Sequence, residues 1–450
     1  MADLNSAVEA DRAYMRNQLS GVSGPTPGIV YVHGDSTAVG DGSVNNDAKW
    51  GVLHGIDGGV AVVNSGLSGQ GVAAGVDRLI AQTENRDRCV VFKDVRNTGE
   101  TAAAWLAQAA LVVAACPYVL IEPQLGVTDG SADAPTLQIY ADINAGILAQ
   151  FPNNTYDATT QAAYIAALSN AETRSDGLHR NDMGQAVEAL FISAFFRSKG
   201  WRRQRPETAD ALARMAVQPS AWVAALLNAF IERQIGSGRW GKSDVLYNAL
   251  LHDAQAATLN LISAGYPATK VGTVAFAAYQ GLTGDGSTGY HKTGFDPALV
   301  PGAKFQQNSA HLLVHNLTNV PENKADIGST TNTPGASSFS SRNADDSRSS
   351  YLNQTGSTTF GAGATTSIGR SGVIRPDADR TSFAVGTGII ATAASTSIAP
   401  AGGELLWGSG YSGLSTKRRA FASIGAALTN PELRHSYYGE VAFAKAVGAL

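Results

Sequence analysis

The sequence predicts an α/β domain with a parallel sheet over residues 26–203, a helical connector over 204–265 and an all-β sandwich over 266–450. Three observations predict this. Up to about residue 200, short apolar runs alternate with longer helix-like segments, the pattern of a parallel sheet covered on both faces. After WRRQRP at 201–206, two long segments read as helices. From about residue 266 the chain becomes a series of short alternating runs bounded by Gly, Ser, Thr and Asn, as in a β-sandwich.

Residues 1–25 read as a helix running into GVSGPTPG, a turn-rich link. A surface helix on its own domain and a segment that docks onto a larger assembly both fit. GIVYVHG (28–34), GVAVVN (59–64), CVVFKDV (89–95) and YVLIEPQ (118–124) have strand length and strand composition. Between or after them come helix-like GQGVAAGVDRLIAQT (69–83), TAAAWLAQAALVVAA (101–115) and PTLQIYADINAGILAQF (135–151). NDMGQAVEALFISAFF (181–196) reads as a further helix. In an open α/β sheet, reactive groups gather at the carboxyl ends of the strands.

One chemistry fits those strand ends. Ser36 follows the first strand in the turn GDSTAVG (34–40), and DGLH places Asp176 three residues before His179. A serine hydroxyl is a weak nucleophile until a histidine accepts its proton and a carboxylate orients that histidine. A short turn can aim the Asp176 carboxylate at the His179 imidazole. His33, just before the serine turn, suits both a place in the active site and a packed strand end.

Four segments in order, GDSTAVG, NSGLSG (64–69), VRNT (95–98) and DGLH, resemble the blocks of the GDSL or SGNH hydrolases over about residues 26–200. The resemblance implies a flavodoxin-like SGNH hydrolase domain and a carboxylic ester hydrolase without a cofactor or metal. It implies Ser36 as nucleophile, with Asp176 and His179 completing the triad. The oxyanion donors would be the backbone N–H groups of Ser36 and Gly69 and the Asn97 side-chain amide. Losing one such donor typically costs about 10²–10³ in turnover. Val95 and Thr98 stand where the family's third block usually carries Gly and Asp, a departure that reshapes the oxyanion hole or the acyl pocket.

Composition excludes several other functions. The formal net charge of −4, without a Lys/Arg-rich run, offers nothing to nucleic acid or an anionic membrane. Charged residues make up 16% of the chain, below the roughly 25% of ordinary globular proteins. Gly, Ser, Thr, Ala and Asn fill the difference. Cys89 and Cys116 lie in apolar runs and read as buried free thiols, with no disulfide framework or thiolate zinc site. The N-terminus does not read as a signal peptide, and no apolar stretch is long enough to span a bilayer.

PETADALARMAVQPSAWVAALLNAFIERQI (206–235) and SDVLYNALLHDAQAATLNLIS (243–263) read as the two helices of the connector, with Trp222, Leu226, Phe230 and Ile235 near one stripe. The passage AFAAYQGLTGDGSTGYHKTGFDP resembles laminin-G or concanavalin-A-like jelly-roll modules at the ends of bacteriophage structural proteins. The segment before it resembles the helical lead-in that accompanies them. TGDGSTG (283–289) reads as turn chemistry, because it lacks the acidic spacing of a calcium loop. The polar region 319–350 reads as strands and long loops of the sandwich. Tyr279, Tyr290, Trp407, Tyr411, Tyr437 and Tyr438 suit both core filling and stacking on sugar rings.

The expectation is a serine esterase that removes O-acetyl groups from a bacterial surface polysaccharide, carried on a phage or phage-like particle and released by lysis. Its partners would be that polysaccharide and other particle proteins, with homo-oligomerisation expected. The alternative is a non-enzymatic glycan-binding spike or fibre adhesin with a degenerate hydrolase domain.

Overall fold

The structure is a computed structural model that describes residues 29–34, 61–64, 66, 67, 69, 71–83, 88–93, 99–125, 132–176, 179–361 and 363–450. The expected N-terminal helix, Ser36 and Asn97 lie outside the described residues. The chain divides into two compact units, Met1–Gln204 and Arg205–Leu450.

In the first unit the apolar runs form β1 (Ile29–Gly34), β2 (Ala61–Asn64), β3 (Cys89–Lys93) and β4 (Val119–Ile121). They pair in parallel in the order β2-β1-β3-β4. The helices are α1 (Val72–Ala81), α2 (Ala102–Ala115), α3 (Ala134–Gln150), α4 (Ala158–Leu168) and α5 (Asp182–Ser198). Short polar side chains start four of them. Thr101, Asp133, Asp157 and Asn181 each accept a hydrogen bond from the backbone N–H three residues on, at 3.2, 2.9, 2.7 and 3.0 Å. The strands and helices expected between residues 28 and 196 are present among the described residues, and α4 is an addition that the sequence reading passed over.

Tyr31, Val90, Phe92, Val119 and Ile121 join Val76, Leu79, Trp105, Val112, Ile143 and Ile147 in one buried cluster. The alternate side chains Val30, Val32, Val91 and Leu120 are buried as well. A sheet buried on both faces needs continuous rather than alternating hydrophobicity, which is why these strands were legible as apolar runs. Cys89 and Cys116 are buried free thiols, and burial pushes the Cys89 thiol up to about 12.

The second unit begins with α6 (Pro206–Ala213) and α7 (Ala221–Gly236). One antiparallel sheet contains β5 (Ser243–Asn248), β7 (Val274–Ala277), β8 (Gly281–Gly284), β10 (Ala310–Asn316), β15 (Gly369–Arg375), β16 (Arg380–Val385), β17 (Gly388–Ala394) and β21 (Arg418–Gly425). The other contains β6 (Thr269–Val271), β9 (Tyr290–Lys292), β11 (Ile327–Ser329), β12 (Ser337–Ser340), β13 (Arg348–Leu352), β14 (Thr358–Phe360) and β18 (Leu405–Trp407). A two-stranded ribbon, β19 (Ser409–Gly410) with β20 (Gly413–Leu414), completes the strands, and α8 (Asn430–Ala446) closes the chain. Leu312, Val314, Val373 and Ile424 of the first sheet share a core with Ile327, Phe339, Leu352 and Trp407 of the second, making a β-sandwich.

One reading is corrected. Residues 243–263 are not a helix: they form β5, then turns around the short 3-10 helix Ala256–Thr258. The alternation Val245, Tyr247, Ala249 faces the sandwich core, and β5 pairs antiparallel with β21. Pairing across some 175 residues outweighed local helix propensity. The helices before it belong to this unit too. Phe230 of α7 packs on Phe421 of β21 and Phe443 of α8, each at 5.5 Å between ring centroids.

TGDGSTG is a turn, as read. The Asp285 carboxylate accepts hydrogen bonds from the backbone N–H groups of Ser287, Thr288 and Gly289. Of the aromatics, Trp407 is fully buried and stacks on Tyr247 at 5.2 Å, a core role.

Two buried histidines make this unit acid-sensitive. His311 Nδ1 lies 2.6 Å from the Ala426 carbonyl and Nε2 lies 2.7 Å from Ser423 Oγ. The carbonyl can only accept, so Nδ1 carries the proton and Nε2 accepts from the serine hydroxyl. Burial pulls His311 and His291 down to about 3. Between that value and the ordinary 6.5, the unfolded chain binds protons that the folded unit refuses, so stability falls as pH falls. Each histidine can cost up to about 1.4 kcal/mol per pH unit crossed. Thermal melting of the full chain should show wild type's lead over His311→Asn narrowing from pH 6.5 to pH 4. A lead that stays constant would contradict this account.

Candidate active site

The strand order puts β1 next to β3 with β2 and β4 outside them, so successive connections depart in opposite directions from β1. This is the switch point of an open α/β sheet, where a crevice forms beyond the strand carboxyl ends. Gly34, the last residue of β1, pairs with Lys93, the last of β3. Ser36 and Asn97 follow those two ends in sequence by two and four residues, and their own positions lie outside the described residues.

Asp176 and His179 are brought together. Asp176 Oδ2 lies 2.8 Å from His179 Nδ1, and Asp176 Oδ1 accepts the His179 backbone N–H at 2.7 Å. The first contact engages Nδ1, and the second holds the turn that makes the first possible. The His179 side chain is 20% exposed and that of Asp176 55% exposed, so the pair faces solvent. Gly177 and Leu178 between them lie outside the described residues.

The loop carrying the pair is closed at its base. Arg174 and Arg180 form an antiparallel bridge. The Ser175 N–H donates to the His179 carbonyl at 2.9 Å, and that of Asn181 to the Thr173 carbonyl at 3.0 Å. The Asn181 side chain caps α5 and also donates to the Glu172 carbonyl at 2.9 Å. The N-terminus of α5 packs so closely on this loop that a Cβ at Gly184 would come within 2.1 Å of the Thr173 carbonyl oxygen.

Gly69 is exposed, with φ of +75°, a backbone conformation that favours glycine and turns the N–H away from an extended path. Nearby, the Leu67 N–H donates to the Gly34 carbonyl at 2.9 Å, tying this segment to the end of β1. Of the two readings of His33, the packed strand end holds. The ring is buried among the Tyr31 and Phe92 rings, and burial followed by the Arg78 charge pulls it down to about 4.

Sequence reasoning missed a buried polar cluster beneath the pair. Lys93 Nζ donates to Glu188 Oε2 at 2.5 Å, while Arg180 Nη2 lies 3.0 Å from Glu188 Oε1. The Tyr164 hydroxyl lies 2.9 Å from Glu122 Oε1 and 3.3 Å from Glu188 Oε1. Burial first, then the Arg180 charge, pulls Lys93 down. Burial also opposes the Arg180 charge, but Glu188, Tyr164 and Glu122 outweigh it and hold that guanidinium above its ordinary value. The signal was available: Lys93 ends CVVFK, Glu122 ends VLIE, and Glu188 interrupts AVEALF. Charges in apolar runs must find partners or neutralise. Removing one partner of such a pair costs about 3–5 kcal/mol.

Among the described residues, no group of three His, Cys, Asp or Glu side chains is placed to hold a metal ion. No described helix is long and apolar enough to cross a membrane.

No protein-family model matches the chain, and no curated protein matches it. Solved structures are similar to parts of the chain. One described as a lipolytic protein of the G-D-S-L family, from Desulfitobacterium hafniense DCB-2, is 14% identical with a TM-score of 0.31, the match spanning 37% of this chain and 99% of that one. TesA is 19% identical with a TM-score of 0.32, spanning 38% of this chain and 99% of its own. The receptor binding domain of botulinum neurotoxin C/D mosaic serotype is 11% identical with a TM-score of 0.33, over 44% of this chain. That match spans about half of the toxin structure, 52%.

Burial, then the neighbouring Glu188, pushes the Glu122 carboxyl above its ordinary 4.5. The folded chain therefore keeps a proton that the unfolded chain releases, and stability falls as pH rises above that value. Glu122→Gln cannot ionise. Its melting temperature should fall less than that of wild type between pH 5 and pH 8, and equal falls would refute a neutral, buried Glu122.

Proposed function

We propose that the chain is a serine ester hydrolase that removes O-acetyl groups from a bacterial surface polysaccharide, as part of a phage or phage-like particle. One observation carries the reaction class: Asp176 holds His179 at 2.8 Å through Nδ1, the orientation of a carboxylate-supported histidine base. The base of that loop reaches Glu188, which also takes Lys93 from the carboxyl end of β3. That link supports a site in which the Asp176–His179 loop serves the strand ends preceding Ser36 and Asn97.

In the reaction, His179 Nε2 takes the proton of Ser36 Oγ as that oxygen attacks the ester carbonyl. Negative charge moves onto the carbonyl oxygen, where the N–H groups of Ser36 and Gly69 and the Asn97 amide receive it. The C–O bond to the sugar breaks, and His179 returns the proton to the departing sugar oxygen. Water, losing a proton to His179, then attacks the acetyl-serine. Acetate leaves and Ser36 regains its proton.

The polysaccharide, the particle and an oligomeric form rest on the resemblance of the second half to modules of bacteriophage structural proteins. A sandwich that binds the polymer or a neighbouring subunit would raise the local concentration of ester around the hydrolase unit. The alternative, a glycan-binding adhesin without catalysis, is favoured by Val95 and Thr98, which replace the usual glycine and aspartate around Asn97.

Hydrolysis of an aryl acetate by folded wild type and Ser36→Ala separates the two. Esterase chemistry predicts activity that disappears in Ser36→Ala and falls about 10²–10⁴-fold in His179→Ala. Acetate release from acetylated bacterial glycans then identifies the substrate. Folded wild type that neither hydrolyses these esters nor reacts with a fluorophosphonate probe would establish the adhesin instead.

A further inference from the structure

Three segments must keep their mutual positions if the proposed reaction is to proceed. One carries Ser36 and leaves β1 after Gly34. Another carries Asn97 and leaves β3 after Lys93, and the third carries Asp176 and His179 and ends at Arg180. They come from distant parts of the sequence, and short-range hydrogen bonds close the third on itself.

One carboxylate links the end of β3 to the end of the base-bearing loop, and strand pairing extends that link to the end of β1. Glu188 lies on α5, between the apolar side chains of Val187 and Ala189, and is fully buried. Its Oε2 accepts from Lys93 at 2.5 Å and its Oε1 pairs with Arg180 at 3.0 Å. Lys93 is in turn the backbone partner of Gly34. Arg180 is the residue after His179, and its backbone bridges to Arg174, two residues before Asp176.

We propose that Glu188 is a positioning residue that holds the base-bearing loop in register with the ends of β1 and β3. The inference rests on the esterase reading, since it concerns the geometry of that reaction. Its physical basis is directional. A buried ion pair adds little net stability over well-packed apolar side chains. Charge-assisted bonds on both oxygens, however, leave the carboxylate a single orientation. A displacement of about 1 Å between nucleophile and base can cost on the order of 10²-fold in rate. Glu188 touches none of the reacting atoms, and its effect passes through Lys93 and Arg180.

The test uses the full chain and an aryl acetate, with folding checked by circular dichroism and thermal melting. Glu188→Gln keeps the shape and removes the charge. Folded Glu188→Gln should lose about 10- to 100-fold in kcat with KM changed less than about twofold, because the site still binds but is misaligned. Lys93→Met should lower kcat in the same way, and combining it with Glu188→Gln should cost no more than Glu188→Gln alone. Additive losses would mean that the two act separately.

If Glu188→Gln does not fold, Arg180→Lys replaces it, keeping the charge while losing the guanidinium fork. Its kcat should drop at least about fivefold at constant KM. A folded variant with wild-type kcat overturns the proposal, and so does failure of both Glu188→Gln and Arg180→Lys to fold, which would make the carboxylate a stability residue. The wild-type and Ser36→Ala arms report on the esterase reading separately. An active wild type with an unaffected Glu188→Gln sinks the clamp alone, and an inert wild type sinks both.

Discussion

The parallel pairing of β1 with β3 is the constraint on which the first unit's chemistry depends. Register Gly34 to Lys93 brings two strand ends level. Parallel strands require long crossover connections, so residues that meet at one sheet end are far apart in sequence. The described crossovers contain α1 and α2, which bury Val76, Leu79, Trp105 and Val112 against the sheet. Apolar packing fixes the strands, and the strands fix where polar groups can meet.

Polar groups then meet in a recurring way. In each unit a helix contributes a buried glutamate that takes two basic side chains. Glu188 of α5 takes Lys93 and Arg180. Glu440 of α8 takes Arg239 and lies 3.1 Å from His315. Burial works against the Glu440 charge, but Arg239, Arg370 and His315 outweigh it and pull that carboxyl down to about 2. Desolvation makes such clusters poor sources of net stability, whereas their bonds tolerate little change of angle.

Much of this was legible in the sequence, and the reason is locality. Asp176 and His179 are three residues apart, so one turn suffices to pair them, and the structure shows the bond. The strands β1 to β4 were legible because a doubly covered sheet writes itself as unbroken apolar runs. The caps Thr101, Asp133, Asp157 and Asn181 mark helix starts for the same local reason. Where locality ended, the reading failed. Residues 243–248 look helical beside their neighbours, yet they lie as a strand because β21 offers an edge and the sandwich core accepts Val245 and Tyr247.

The sequence alone determined the α/β and all-β halves, the Asp176–His179 pair and the glycine at 69, because each follows from short-range pattern or from one residue's backbone freedom. Only the tertiary structure decided which charges are buried together. Lys93, Glu122, Arg180 and Glu188 converge because a parallel sheet and a helix from 60 or more residues later bury them together. That convergence is a property of three-dimensional packing, and no spacing along the chain encodes it.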